Sequence, residues 1–117
     1  MPHLIAEHSK DVATRNAIPA LFGALMSVCE NSSAIDAANV KLRAHGYASY
    51  LVGGEMRPFL HLSLAMMSGR SDTEKAALSN ALFQAAAGVM PNDVEITVEI
   101  RDTHRASYRK RSGRMPS

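Results

Sequence analysis

The sequence predicts an α+β fold: β-α-β repeated twice, a mixed four-stranded sheet with two helices on one face, a two-layer sandwich. Three observations predict it. Residues 59–67 and 94–101 alternate apolar and polar side chains with a period of two, the pattern of half-buried strands. Between them, Ser71-Asp72-Thr73-Glu74 opens an alanine-rich run, which is a capping box followed by a good helix former. The same strand, helix, strand order recurs in the first half, so residues 2–47 and 59–101 are repeats in element order, though not in residues. Each helix then links two parallel strands by a right-handed crossover.

Pro2-His3-Leu4-Ile5-Ala6-Glu7-His8 reads as a short strand. Leu4 and Ala6 face one way, His3 and Glu7 the other, and Ile5 interrupts the alternation. Ser9, Lys10 and Asp11 read as a polar loop. Over 18–30, Ile18, Leu21, Phe22, Leu25, Val28 and Cys29 recur at helical spacing and form one apolar stripe. Pro19 suits the first turn, where a missing N–H is harmless. Residues 39–47 alternate again, with Val40, Leu42 and Ala44 against Lys41, Arg43 and His45. Gly53-Gly54 and Pro58 mark a loop or hairpin. In 59–67, Leu60, Leu62, Leu64 and Met66 oppose Phe59, His61, Ser63 and Ala65. The second helix runs from the Ser71 cap to about Met90, with Leu78, Leu82, Phe83, Ala86 and Val89 on its stripe, and Pro91-Asn92-Asp93 stops it. Val94, Ile96, Val98 and Ile100 then alternate with Glu95, Thr97, Glu99 and Arg101.

A chain of 117 residues is expected to form one domain, 1–117, with a basic tail over 102–117. It has 46% hydrophobic and 21% charged residues, the balance of a soluble globular domain. No apolar run is long enough to span a membrane and no secretory signal is visible. A single cysteine, Cys29, excludes an internal disulfide and a cysteine-built zinc site. A cytoplasmic location is expected, with Cys29 a small core residue. His3, His8, His45, His61 and His104 lack the spacing of a zinc motif. No metal or organic cofactor is expected. A net charge of +2 selects no partner. Arg105, Arg109, Lys110, Arg111 and Arg114 crowd the tail, which reads as a solvated terminus more readily than as a nucleic-acid contact.

The chemistry points to the other end of the chain. Pro2 follows the initiator methionine directly. Trimming of Met1 leaves a free secondary amine, and an α-amine, which titrates near ~8, is a candidate general base. With Met1 retained, that nitrogen is an amide and cannot act. The polar face of the sheet carries His3, Glu7, Lys41, Arg43, His45, His61, Ser63, Glu95, Thr97, Glu99 and Arg101. It is either a solvated face or a face that meets its copies inside a closed oligomer.

Several marks coincide along the chain: Met1-Pro2-His3-Leu4-Ile5, Ile18-Pro19-Ala20-Leu21-Phe22, Val40-Lys41-Leu42-Arg43-Ala44, and Phe59-Leu60-His61-Leu62-Ser63-Leu64 followed by Gly69-Arg70-Ser71. Their joint spacing, from residue 2 to about 101, resembles the 5-carboxymethyl-2-hydroxymuconate isomerase family of the tautomerase superfamily. The resemblance implies a β-α-β repeat fold, a homotrimer and catalysis by the amino-terminal proline, with Pro2 as base and Arg43 as the cation that binds a substrate carboxylate. His61 matches the family's strand motif without an assigned role. Tyr108-Arg109-Lys110 is similar to an aromatic–lysine pair that packs against a neighbouring subunit. Lys41 stands where family members often have arginine, and the loop 51–58 and the arginine-rich tail are this chain's own.

The implied reaction moves a proton along an unsaturated 2-hydroxy (enol) dicarboxylate, 5-carboxymethyl-2-hydroxymuconate or a relative, to give an α,β-unsaturated ketone. Lys41 and Arg70 are further candidate cations for such a substrate, although Lys41 is expected to pair with Glu95 or Glu99. Two alternatives stay open. One is the same fold with another proline-dependent activity: hydration, decarboxylation or dehalogenation. The other is a non-catalytic ferredoxin-like binding module. An RNA-binding sheet of that kind displays aromatics on its open face, where this sequence places only Phe59 and Tyr47 among many charges.

Overall fold

The computed structural model describes residues 1–113, apart from the side chain of Thr14; Arg114 of the basic tail lies outside the described residues. The elements follow the order β1 (His3–Ser9), α1 (Lys10–Thr14), α2 (Ile18–Asn31), β2 (Lys41–Tyr47), β3 (Phe59–Met67), α3 (Asp72–Val89) and β4 (Glu95–Thr103). The sheet order is β2-β1-β3-β4. β1 runs parallel to β2 and β3 parallel to β4, as each crossover helix requires, and β1 meets β3 antiparallel in the middle. This is the expected mixed sheet of two β-α-β units.

Alternation in the strands decides which face is buried. Leu4, Ala6, Leu60, Leu62 and Leu64 are fully buried beneath the helices. Leu21, Leu25 and Cys29 of α2 and Leu82 and Ala86 of α3 complete the same core at zero exposure. Phe83, expected on the apolar stripe of α3, is instead exposed. It follows the fully buried Leu82 directly, and adjacent helical positions point about 100° apart at 3.6 residues per turn. The capping box of α3 is complete. Ser71 Oγ accepts from the Glu74 N–H at 3.1 Å, and Glu74 Oε1 accepts from the Ser71 N–H at 3.0 Å.

Three further expectations are corrected. Residues 9–11 are not a loop: Ser9 ends β1 and Lys10–Thr14 form a one-turn helix. That turn buries Val12 completely, and Asp11 bonds Arg15 at 2.9 Å, four residues on. A helix of five residues is too short to show a 3.6-residue period, which is why the pattern missed it. The second expectation concerned Lys41 and its glutamate partners. β2 and β4 are opposite edges of the sheet, three strand spacings or roughly 14 Å apart, so Lys41 does not reach Glu95 or Glu99 within the chain. Third, the tail is not freely solvated over 104–110. Arg105 Nε donates to the Ser68 carbonyl at 3.0 Å, Tyr108 reaches His3, and Lys110 Nζ donates to Asn39 Oδ1 at 3.2 Å. The Tyr108 and Lys110 contacts lie inside this chain.

Candidate active site

Pro2 immediately precedes β1 and is buried. Its carbonyl accepts from the Lys41 N–H at 3.0 Å, which continues the β1–β2 ladder back to the proline. Pro2 forms part of the wall of a cavity of about 150 Å3. Ala34, Ile35 and Asp36 from the connection between α2 and β2 line it, with Met66 and Met67 at the end of β3 and Arg70 beyond it.

Local geometry explains how Arg70 arrives there. Gly69 has a φ of 122°, a backbone conformation that side-chain-bearing residues avoid, and it turns the chain as β3 ends. Arg70 then donates through Nη1 to the Met67 carbonyl at 3.0 Å and through Nη2 to the Ala34 carbonyl at 2.7 Å. Two of its five N–H donors are thereby spent on backbone, and the guanidinium is fixed as a cation in the cavity wall.

Further cations surround the chain terminus. The Met1 amine is lowered to about 6, first by burial, then by Lys41 and then by the charge of Lys110. Both burial and neighbouring positive charge disfavour an ammonium. Lys41 Nζ is buried beside it. The neutral amine offers Lys41 a lone pair that the ammonium lacks, so the second cause of the shift is a preference for the neutral form.

Arg43 sits elsewhere. It lies in the middle of β2, exposed on the open face, where Nη1 donates to His3 Nδ1 at 3.1 Å. It does not line the cavity of Pro2. Of the two residues singled out by the sequence, one chain therefore places Pro2 in the cavity and Arg43 outside it, and brings in Arg70 instead. Arg70 was legible only as a further candidate cation; the signal was Gly69-Arg70-Ser71, a turn and helix cap set directly after a strand.

His61 is at the other end of the open face, opposite Glu7 of β1. Its Nδ1 lies 2.7 Å from Thr97 Oγ1 and its Nε2 3.5 Å from Glu99. It helps line a wider groove of about 490 Å3 with Glu7, Tyr47, Tyr50 and Phe59. Tyr47 donates to Glu7, which raises the Tyr47 pKa. Among the described residues no group of three or more His, Cys, Asp and Glu side chains is placed to hold a metal ion. No helix among them is long and apolar enough to cross a membrane.

The mixed four-stranded sheet built from two β-α-β units, with its helices on one face, matches structures of the tautomerase fold. The chain belongs to the 5-carboxymethyl-2-hydroxymuconate isomerase family, which matches residues 2–112. In structure it is similar to a 5-carboxymethyl-2-hydroxymuconate isomerase from Deinococcus radiodurans R1, at 25% identity over 96% of this chain and 90% of that one, with a TM-score of 0.79. A 5-carboxymethyl-2-hydroxymuconate delta-isomerase is similar at 21% identity over 97% and 89%, with a TM-score of 0.73. The Q0 fused 4-OT, a symmetric trimer, is similar at 27% identity over 89% and 87%, with a TM-score of 0.70. No curated protein is close enough to count as a match.

Proposed function

We propose that the chain is a cofactor-independent tautomerase acting on an unsaturated 2-hydroxy dicarboxylate, 5-carboxymethyl-2-hydroxymuconate or a relative, with the Pro2 amine as general base once Met1 is removed. The observation that carries this reading is the electrostatic setting of the chain terminus. A base needs its neutral form at working pH, and burial with Lys41 and Lys110 holds the Met1 amine near about 6. Removal of Met1 moves the free amine one residue inward, to the wall of the cavity that also holds Arg70.

The chemistry then needs one group. The neutral amine of Pro2 takes the proton from the 2-hydroxyl oxygen as the carbonyl forms. The electron pair shifts along the conjugated chain, and the proline ammonium returns the proton to carbon. Atoms and charge balance without a co-reactant. Arg70 holds one carboxylate from within the cavity, and Arg43 binds another bidentately. The positive charge of Lys41 and Lys110 beside the chain terminus disfavours a protonated amine, which favours base chemistry over reactions that use a protonated proline.

A cavity of about 150 Å3 is smaller than the roughly 300–1,000 Å3 of most ligand clefts. We assign the missing walls, and Arg43, to a neighbouring subunit of a homotrimer with its sites at the boundaries. Within one chain both β2 and β4 are left as edges, which favours such closure. The buried lone Cys29 suits a reducing cytoplasm.

The test is an ultraviolet assay of processed protein with 2-hydroxymuconate and its 5-carboxymethyl analogue. Loss of the dienol absorbance faster than the spontaneous rate is expected for at least one. The spontaneous rate with both contradicts the reading.

A further inference from the structure

His3 stands between two groups that the proposed reaction does not connect. On one side Arg43 Nη1 lies 3.1 Å from its Nδ1; on the other, the Tyr108 hydroxyl lies 3.2 Å from its Nε2. A guanidinium has no lone pair to offer, so Arg43 can only donate. His3 Nδ1 must therefore be the acceptor, which makes the ring neutral with its proton on Nε2, where it donates to Tyr108. One bond fixes the tautomer and the other depends on it. The rings of His3 and Tyr108 also meet edge to face, with centroids 6.2 Å apart and planes at 71°. Tyr108 is brought there by the C-terminal segment, which Lys110 and Arg105 pin to the body at Asn39 and Ser68.

We propose that His3 is a positioning residue for Arg43: as the Nε2–H tautomer, held by Tyr108 of the C-terminal segment, it aims the guanidinium before an acid substrate arrives. The role of Arg43 as a carboxylate-binding group rests on the proposed function above; the tautomer and the hydrogen-bond chain do not. Arg43 is an exposed, long side chain on an edge strand, with rotamer freedom to lose on binding. An acceptor that is already in place removes part of that loss. Protonation of His3 would turn the acceptor into a donor facing another donor and release Arg43. The groups that face His3 oppose this. Arg43 and Lys41 come from β2 and the amine from the chain terminus, Tyr108 presents its hydroxyl, and the β3 partner, Ala65, carries no charge. With burial as the largest cause, they hold the His3 pKa below its usual value, so the neutral ring persists into mild acid.

The test has one arm that needs no activity and no variant. Nitrogen-15 NMR of the histidine rings in the full chain at neutral pH should show His3 with a protonated Nε2 and a bare Nδ1. A protonated Nδ1, or an even mixture of tautomers, overturns the proposal, whatever the enzyme turns out to catalyse. The second arm measures calorimetric binding of an unreactive dicarboxylate, adipate. His3→Ala should weaken binding by about tenfold, the scale of one hydrogen bond to a charged group. His3→Asn, whose Oδ1 can accept where Nδ1 did, should recover most of the loss and keep its affinity as the pH falls through the lowered His3 pKa, where the wild type weakens. His3→Gln, which keeps a donor toward Tyr108 without an acceptor at the Nδ1 position, should not recover it. Equal affinity in all four proteins overturns the proposal, and so does rescue by His3→Gln in place of His3→Asn.

Discussion

Arg43 and Lys41 are neighbours on one strand, yet the site asks different things of them. Arg43 makes its hydrogen bond on the open face, and its assigned task is to hold a carboxylate. Arg43→Ala should raise KM for a dicarboxylate by about tenfold or more, the scale of a lost charge-assisted pair at ~1.5–3 kcal/mol. Arg43→Lys should recover only part, because a point charge does not reproduce the planar fork. Unchanged kinetics in both would make Arg43 a structural residue. Lys41 is assigned, on the proposed reading, to the amine and not to the substrate. It lowers the pKa of the Met1 amine, and on the proposed reading its positive charge does the same to the Pro2 amine once Met1 is removed. Lys41→Met should move the acid limb of kcat/KM to higher pH; a limb that stays in place would remove Lys41 from the tuning of the base. Pro2 and Arg43 were singled out from recognisable local contexts, and the structure places Pro2 in the cavity wall and Arg43 on the open face. The link from His3 to Tyr108 was not, since 105 positions separate them and no local pattern reports a contact made only through the sheet.

The elements that read most clearly are those whose side chains alternate or cap in the expected way. β3 runs over Phe59–Met67 with a strict alternation of partly and fully buried residues, and α3 starts at its complete capping box. Ser71→Ala should lower stability by about 1 kcal/mol, the usual loss at an N-cap, read as a shift in the denaturation midpoint at constant slope. No shift would mean that the cap is satisfied by water at no loss. α1 escaped notice because one turn has no period, and Val12, its fully buried residue among those described, carries no periodic signal alone. β2 starts at Lys41, later than expected, because Ala37–Asn39 form a 3-10 turn capped by Asp36. The segment just before this turn, Ala34–Asp36, builds one wall of the Pro2 cavity, so a part of the fold with no periodic pattern is among the parts nearest Pro2.

At the scale of the molecule, the chain leaves features that a single copy does not use. Leu51 and Met56 on the loop between β2 and β3 are 68% and 64% exposed, and β2 and β4 are unpaired edges. The open face has mixed sign, with Lys41, Arg43 and Arg101 set against Glu7, Glu95 and Glu99. In the proposed trimer, heterologous closure of three copies would pair the edges and let these charges meet, with Glu95 and Glu99 expected to serve assembly more than chemistry. Sedimentation equilibrium at micromolar concentration should give a trimer, and a clean, active monomer would remove both the trimer and the shared site. The central claim, that the amino-terminal nitrogen is the base, has a more direct test. Protein from one preparation can be separated by intact mass into Met1-free and Met1-bearing forms, and each assayed with 5-carboxymethyl-2-hydroxymuconate. The account predicts turnover in the Met1-free form and a loss of at least ~10²-fold, the range for removing a general base, in the Met1-bearing form. Equal turnover in the two forms would contradict it.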